Sequence, residues 1–301
     1  MGQTPDWIAV DWGTTHMRAW LRLNDGTVLD RRDSDKGMGG LSRDQFEPVL
    51  NDLLSDLASD ARLPVIVCGM AGSRQGWAEA PYVAVPCAPP GSEAATLVAS
   101  KRWDVRILPG VKQSSPADVM RGEETQIAGF LASEPDFDGI LCLPGTHNKW
   151  VHISAGEIVS FRTFMTGEIF ALLSSQSVLR HSVDTDGWDE AAFIDALADT
   201  MSRPADLAAK LFSLRAEGLL NDLSAAKAKA RMSALLIGAE LAAAKPYWLG
   251  QQVIILGEGS VARAYETALN SQGAMVRCVD AENMTLAGLT AAYEKAKEAQ
   301  T

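Results

Sequence analysis

Two short stretches of this sequence carry residue types suited to phosphate. The first is Val10-Asp11-Trp12-Gly13-Thr14-Thr15, and the second is Leu143-Pro144-Gly145-Thr146-His147-Asn148-Lys149. Each sets small side chains and backbone N–H groups at a tight turn, an arrangement that can surround an anion. Gly13, Thr14 and Thr15 offer N–H and hydroxyl donors. Gly145, Thr146 and His147 offer a second set, with Lys149 as an added cation. Two such turns facing each other would hold a polyphosphate from both sides. A third stretch, Met120-Arg121-Gly122-Glu123-Glu124-Thr125-Gln126, puts two carboxylates at a helix beginning. Acids are favoured there by the helix dipole alone, so the pair has a structural reading beside a chemical one. A fourth, Gly257-Glu258-Gly259-Ser260, reads either as a plain strand-to-helix turn or as a nucleotide contact.

The elements around these residues repeat. Ile8-Ala9-Val10 reads as a buried strand, and Asp11 ends it. Met17 to Leu23 alternates with period two, and Asn24-Asp25-Gly26 is a strong hairpin turn. The same grammar returns from Ile140 to Val159. Aligning Gly13 with Gly145 pairs Thr14 with Thr146 and Thr15 with His147, and Gly26 and Gly156 then fall in the two hairpin turns after a two-residue gap. The repeat predicts two similar domains. The polar stretch Glu134 to Gly139 sets the boundary, giving residues 1–135 and 136–301.

Other segments follow in order. Ser34 to Gly40 is a flexible loop with one cation, Lys36. Phe46 to Leu57 has helical spacing. Pro64 to Cys68 is a buried strand opening into a glycine-rich loop that carries Arg74 and Trp77. Ligands of α/β sheets sit beyond strand ends, which favours a site at that loop over a plain surface turn. Ser115-Pro116-Ala117-Asp118 predicts a helix start. Ser160 to Glu168 takes the place in the second unit that Ser34 to Gly39 holds in the first. Asp189 to Ala244 reads as core-forming helix with breaks at Pro204 and Gly218, and Thr285 to Lys297 as a closing helix.

Bulk properties narrow the partners. The chain has 301 residues and a formal net charge of −11, which disfavours nonspecific binding to nucleic acid or anionic membrane. Any anionic substrate must therefore meet a local basic pocket. Four scattered cysteines without metal-type spacing fit a reducing cytoplasm. The first residues, MGQTPDW, carry no basic-then-apolar signal segment, and no apolar run reaches transmembrane length. No GxxxxGK[ST] motif occurs, which disfavours a Walker-type nucleotide site. Nothing in the sequence excludes a homo-oligomer.

The order of these pieces resembles the sugar-kinase, hexokinase and actin-like ATPase superfamily. Within it, five motifs resemble the 2-dehydro-3-deoxygalactonokinase family: VDWGTT from Val10, GMAGSR from Gly69, MRGEETQ from Met120, LPGTHNKW from Leu143 and MTGE from Met165. The resemblance covers nearly the whole chain. It implies an α/β, two-lobed actin-like ATPase (ribonuclease H-like) fold. Each lobe would be a mixed five-stranded-type sheet flanked by helices, with a cleft between the lobes. It also implies ATP-dependent phosphorylation of the 6-hydroxyl of a small sugar acid, 2-dehydro-3-deoxy-D-galactonate.

Roles follow from that resemblance. Asp11 at a phosphate-facing turn requires an intervening cation, so it is assigned to Mg²⁺ through water; a turn-capping role is the alternative. His147 is either a phosphate contact or a structural imidazole. Related kinases carry an Asp base at a helix start, where this chain has Glu123 and Glu124; Glu123 is favoured, though spacing does not separate them. The sugar acid's carboxylate calls for a cation. Arg74 is the first candidate, before Arg18, Lys36 and Arg162, each of which could be a solvated surface charge; Glu168 is a further substrate contact. Gly257 and Gly259 would let adenosine approach the backbone. Two rivals stand beside this reading: a kinase of the same superfamily for another sugar or sugar acid, and a nucleotide-binding ATPase without a small acceptor.

Overall fold

The computed structural model describes residues 3–57 and 62–299. Met1 and Gly2, part of the stretch read above for a signal segment, lie outside the described residues. The chain forms two compact units. The first comprises Met1–Asp138, Ile153–Ser160 and Ala281–Thr301, and the second Gly139–His152 and Phe161–Asp280. Beyond the 135/136 division, residues 136–138, a hairpin tip and the last helix also cluster with the first unit.

In the first unit, β1 (Trp7–Trp12), β2 (Met17–Arg22) and β3 (Val28–Ser34) form a meander, with α1 (Phe46–Leu53) after it. β4 (Leu63–Gly69), β5 (Tyr82–Ala84), β6 (Thr96–Val98) and β7 (Trp103–Ile107) follow. The main sheet has the order β3-β2-β1-β4-β7-β6. It is six-stranded rather than five-stranded, because the three-residue β6 adds an antiparallel edge to β7. β1 and β4 run parallel at the centre, and side chains alternate faces along them. Ile8, Val10, Val65 and Val67 pack on one side with Phe46 and Leu50 of α1. Trp7, Ala9 and Ile66 pack on the other with Leu289 and Tyr293 of the last helix. With both faces covered, these strands read as continuous apolar runs.

β8 (Gly110–Ser114) and β9 (Ala117–Met120) form a hairpin on β5. The helix expected to start at Ser115 is thus a turn. Ser and Pro favour tight turns as well as helix starts, and here Val111 pairs with Met120 so that both are buried. The helix begins later, as α2 (Glu123–Ser133).

The second unit repeats the meander with β10 (Gly139–Leu143), β11 (Asn148–Ser154) and β12 (Glu157–Phe164). Then come α3 (Thr166–Ser175), α4 (Arg180–Val183), α5 (Glu190–Ser202), α6 (Leu207–Leu220), α7 (Ala225–Ala243) and α8 (Lys245–Trp248). Pro204 marks a break as expected, but Gly218 lies inside α6, which ends at Leu220. β13 (Gln252–Leu256), α9 (Gly259–Ser271) and β14 (Met275–Val279) complete a sheet of order β12-β11-β10-β13-β14. Its core joins Ile140 and Cys142 to Phe193 of α5, Ile237 of α7 and Leu269 of α9.

The last helix, α10 (Ala281–Glu298), returns to the first unit and crosses α2. Gly129 and Gly288 make that crossing very close. A Cβ on either would lie 1.9 Å from a carbonyl oxygen of the other helix, at Met284 and Thr125 respectively. Among the described residues, no helix is long and apolar enough to cross a membrane.

Candidate active site

The first Gly-Thr turn joins β1 to β2. Gly13 N–H is closed internally on His16 O at 2.9 Å. The turn is backed by the loop after β3, where Met38 N–H donates to Gly13 O at 3.0 Å and Gly39 N–H to Thr14 O at 2.8 Å. Gly37 is required there, since a Cβ would lie 2.3 Å from the Thr15 carbonyl carbon. With the carbonyls tied from behind, Thr14 and Thr15 are exposed and their amides have no partner among the described residues. The turn therefore presents donors outward, as an anion site needs. Lys36 lies beside it, its main-chain oxygen accepting Trp12 Nε1–H, but its side chain is exposed, 3.9 Å from Asp52.

Asp11 faces Arg18 across the β1–β2 ladder, with a 2.7 Å ion pair, while Cys68 Sγ–H reaches its other oxygen at 3.7 Å. Arg18 also donates to Glu282 at 3.0 Å, which Arg31 holds at 2.7 Å. Arg18 is thus engaged by two carboxylates. No cluster of metal-ligating side chains occurs among the described residues. A single, partly exposed carboxylate, here ion-paired with Arg18, fits Mg²⁺, which keeps most of its waters and takes one or two carboxylates along with nucleotide phosphates.

Two left-handed glycines bring the start of α2 to Asp11. Gly69 has φ +85°, and a Cβ there would lie 2.7 Å from Trp12 O and 3.3 Å from Asp11 Oδ1. Gly122 has φ +108° and packs on Gly69. The positive φ at both positions favours residues without a side chain. Glu123 then stands half-buried, accepting Arg121 N–H at 3.0 Å. Glu124 is fully buried, and both its oxygens accept Gly122 N–H at 2.8 Å. Burial, and secondarily the charge of Glu123, push the Glu124 carboxyl up to about 8.

The glycine loop after β4 carries one arginine on its outside and encloses another. Arg74 is exposed and reaches Glu79 at 3.7 Å. The enclosed cation is Arg121, stacked on Tyr82 at 4.2 Å and donating to Ala80 O at 2.8 Å, with its Nη1 unpartnered. Its signal in the sequence was its place immediately before Gly122-Glu123-Glu124.

The second Gly-Thr turn repeats the first. Gly145 N–H is closed on Asn148 Oδ1 at 2.7 Å, and Glu168 N–H backs the turn on Thr146 O at 2.9 Å. Thr146 and His147 are exposed, with amides free of partners among the described residues. His147 Nε2 meets Glu168 Oε2 at 2.6 Å. Lys149 is buried and donates back to His147 O at 2.9 Å. Arg162 is exposed and lies over the Phe164 ring at 5.2 Å.

Beside this turn lies a cavity of about 780 Å³, lined by Thr146, Phe170, Trp188, Lys229 and Arg263 among others. Aromatic walls with a mixed polar lining, Lys229 and Arg263 beside Asp186, Glu190 and Glu266, suit a flat, polar ligand. Gly257 donates to Val279 O at 3.0 Å and Gly259, at φ +68°, starts α9. The wall itself is formed by Ser260 and Val261, just after them.

The two-unit α/β fold is of the actin-like ATPase class. A structure of the activator of 2-hydroxyisocaproyl-CoA dehydratase from Clostridium difficile shares it, with a TM-score of 0.52 at 12% identity over 98% of this chain and 96% of that one. The profile of the 2-keto-3-deoxy-galactonokinase family matches residues 11–292, and the chain belongs to that family. It is similar to the protein of Rhizobium meliloti (strain 1021) named "Probable 2-dehydro-3-deoxygalactonokinase DgoK1", at 42% identity over 95% of this chain and 96% of that one. The 2-dehydro-3-deoxygalactonokinase of Escherichia coli (strain K12) is 36% identical over 95% of this chain and 97% of its own length. A crystal structure from Sinorhizobium meliloti, of a protein provisionally given the same designation, has a TM-score of 0.90 at 41% identity, covering 96% and 99% of the two chains.

Proposed function

We propose that this chain transfers the γ-phosphoryl group of ATP to the 6-hydroxyl of 2-dehydro-3-deoxy-D-galactonate. The products are 2-dehydro-3-deoxy-6-phosphogalactonate and ADP, a step of galactonate catabolism in the cytoplasm. The observation that carries this reading is the matched pair of Gly-Thr turns, each closed at its glycine amide and backed so that the next two amides point outward. Family membership supplies the substrate class.

Phosphoryl transfer asks mainly for positioning and charge neutralisation. The aromatic cavity of the second unit takes the nucleoside, and Thr146 and His147 take its phosphates. Thr14 and Thr15 supply the first unit's donors to phosphate. Mg²⁺ bound with the nucleotide would neutralise phosphate charge, with Asp11 as its protein carboxylate. Glu123, the accessible one of the two acids, accepts the proton of the sugar hydroxyl as that oxygen bonds to the γ-phosphorus and the bridging oxygen leaves with ADP. Glu124 is buried and holds the Gly122 turn. The sugar acid's carboxylate is met by a cation; Arg74, exposed on the glycine loop, is the first candidate, since the one unpartnered nitrogen of Arg121 is itself buried.

A coupled assay with ATP, Mg²⁺ and a panel of 2-keto-3-deoxy acids tests this. ADP formation is expected only with a sugar acid present and fastest with the galactonate-derived one. ADP release without an acceptor would sink the reading in favour of a simple ATPase. Preference for another sugar would move the chain to a sister specificity.

A further inference from the structure

Glu240 lies in the middle of α7, 3% exposed, and the chemistry above does not use it. Its carboxylate is surrounded by donors. Oε1 accepts Trp150 Nε1–H at 2.8 Å. Oε2 accepts the Tyr265 hydroxyl at 2.7 Å, Asn148 Nδ2–H at 2.9 Å and the Thr166 hydroxyl, and Asn148 Nδ2–H donates to the Tyr265 oxygen as well. The donors come from β11, α3 and α9. A buried carboxylate persists only when its lone pairs are met in this way. Its charge is felt nearby: burial first, and Glu240 second, push the Tyr265 hydroxyl well above its usual range.

An acceptor-only centre fixes the direction of each group around it. Asn148 is the informative one. Its Nδ2 must point to Glu240, so its Oδ1 points to Gly145 N–H, 2.7 Å away. Thr166 opens α3, and Gly167 next to it packs so tightly that a Cβ would lie 2.0 Å from Gly145 O. Both supports of the second Gly-Thr turn therefore end on one carboxylate. Asn148, Thr166 and Tyr265 also line the adjoining cavity.

We propose that Glu240 is a positioning residue for nucleotide: by setting the orientation of the Asn148 amide, it holds the Gly145–His147 turn in its anion-receiving shape. This rests on the reading of that turn as a nucleotide-phosphate site.

Glu240→Gln tests it. The amide keeps one acceptor but places an NH₂ among donors. With the new NH₂ at the Oε2 place, Thr166 and Tyr265 can rotate their hydroxyls to accept, whereas Asn148 loses Glu240 and keeps only the Tyr265 oxygen as acceptor for its Nδ2; an amide held by that one contact is free to turn over, which takes its oxygen off Gly145. KM for ATP and Kd for ADP by calorimetry are expected to rise about tenfold, while KM for the sugar acid holds within about twofold. Asn148→Asp alone should fail in the same way, since two carboxylates would then meet. The double variant Glu240→Gln with Asn148→Asp should recover ADP affinity, because the new carboxylate accepts from both Gly145 and the new amide. If Glu240→Gln does not fold, Asn148→Ala reads the same relay while leaving Glu240 three donors. Unchanged ADP affinity in the folded variants would overturn the assignment, as would a loss of active enzyme that leaves both KM values as in wild type. Wild-type protein that binds ADP but phosphorylates no sugar acid would remove the substrate assignment and leave the Glu240 test intact. Wild-type protein that binds no ADP would remove both.

Discussion

Three carboxylates near the start of α2 have different surroundings, and their variants should behave differently. Asp11 is tied to Arg18 and partly exposed. Asp11→Ala should cut turnover by about a hundredfold or more with an unchanged circular dichroism spectrum, because Arg18 keeps Glu282 as a partner. Glu123→Gln should lower kcat by about 10²–10⁴-fold if it takes the proton. Glu124→Gln should stay active, since the buried acid is protonated at neutral pH and an amide resembles that form. The reverse pattern would exchange their roles. Stability gives a second reading of Glu124. Its folded pKa, about 8, lies above the ordinary 4.5, so its contribution is full below the ordinary value and lost as pH rises through about 8. Thermal melts should therefore show wild type losing stability relative to Glu124→Gln as pH rises from about 4.5 to about 8, with no further change above that.

At the scale of elements, the site depends on close backbone crossings. α2 sits where it does because Gly129 and Gly288 let α10 press against it. Gly288→Ala has no room for its methyl beside Thr125 O and should destabilise the protein by about 2 kcal/mol, read by urea denaturation. A midpoint within error of wild type would show that the helices can part without cost. Local signals marked these elements well: the period-two strands, the Asn24-Asp25-Gly26 turn and the two Gly-Thr turns depend on neighbours only a few residues away. Ser115-Pro116 misled because its residues suit a tight turn as much as a helix cap, and the deciding contact, Val111 with Met120, is between strands. Gly218 misled because a helix tolerates a glycine where packing outweighs its cost.

Across the whole molecule, the repeat of the meander was legible because the same local grammar occurs twice. The supports of the site were not. Glu240 meets Asn148 across 92 positions of sequence, and nothing in the local pattern of α7 marks it. Arg121 was hidden similarly, since the loop it fills lies far upstream, whereas Arg74 lies within that loop and was legible from its glycine neighbours. Charge was informative at this scale: at −11, the chain should show no retardation of duplex DNA at physiological salt, and a gel shift would check it.

The return of α10 to the first unit orders events during synthesis. The helix bearing Glu123 is translated early, yet the partner that covers it is translated after the entire second unit. Until then, Trp7 lacks the Tyr293 ring that stacks on it at 4.3 Å, and Ile66 and Leu108 lack their cover. The first unit thus stays unfinished on the ribosome until its last helix is made, while every residue of the second has already been translated.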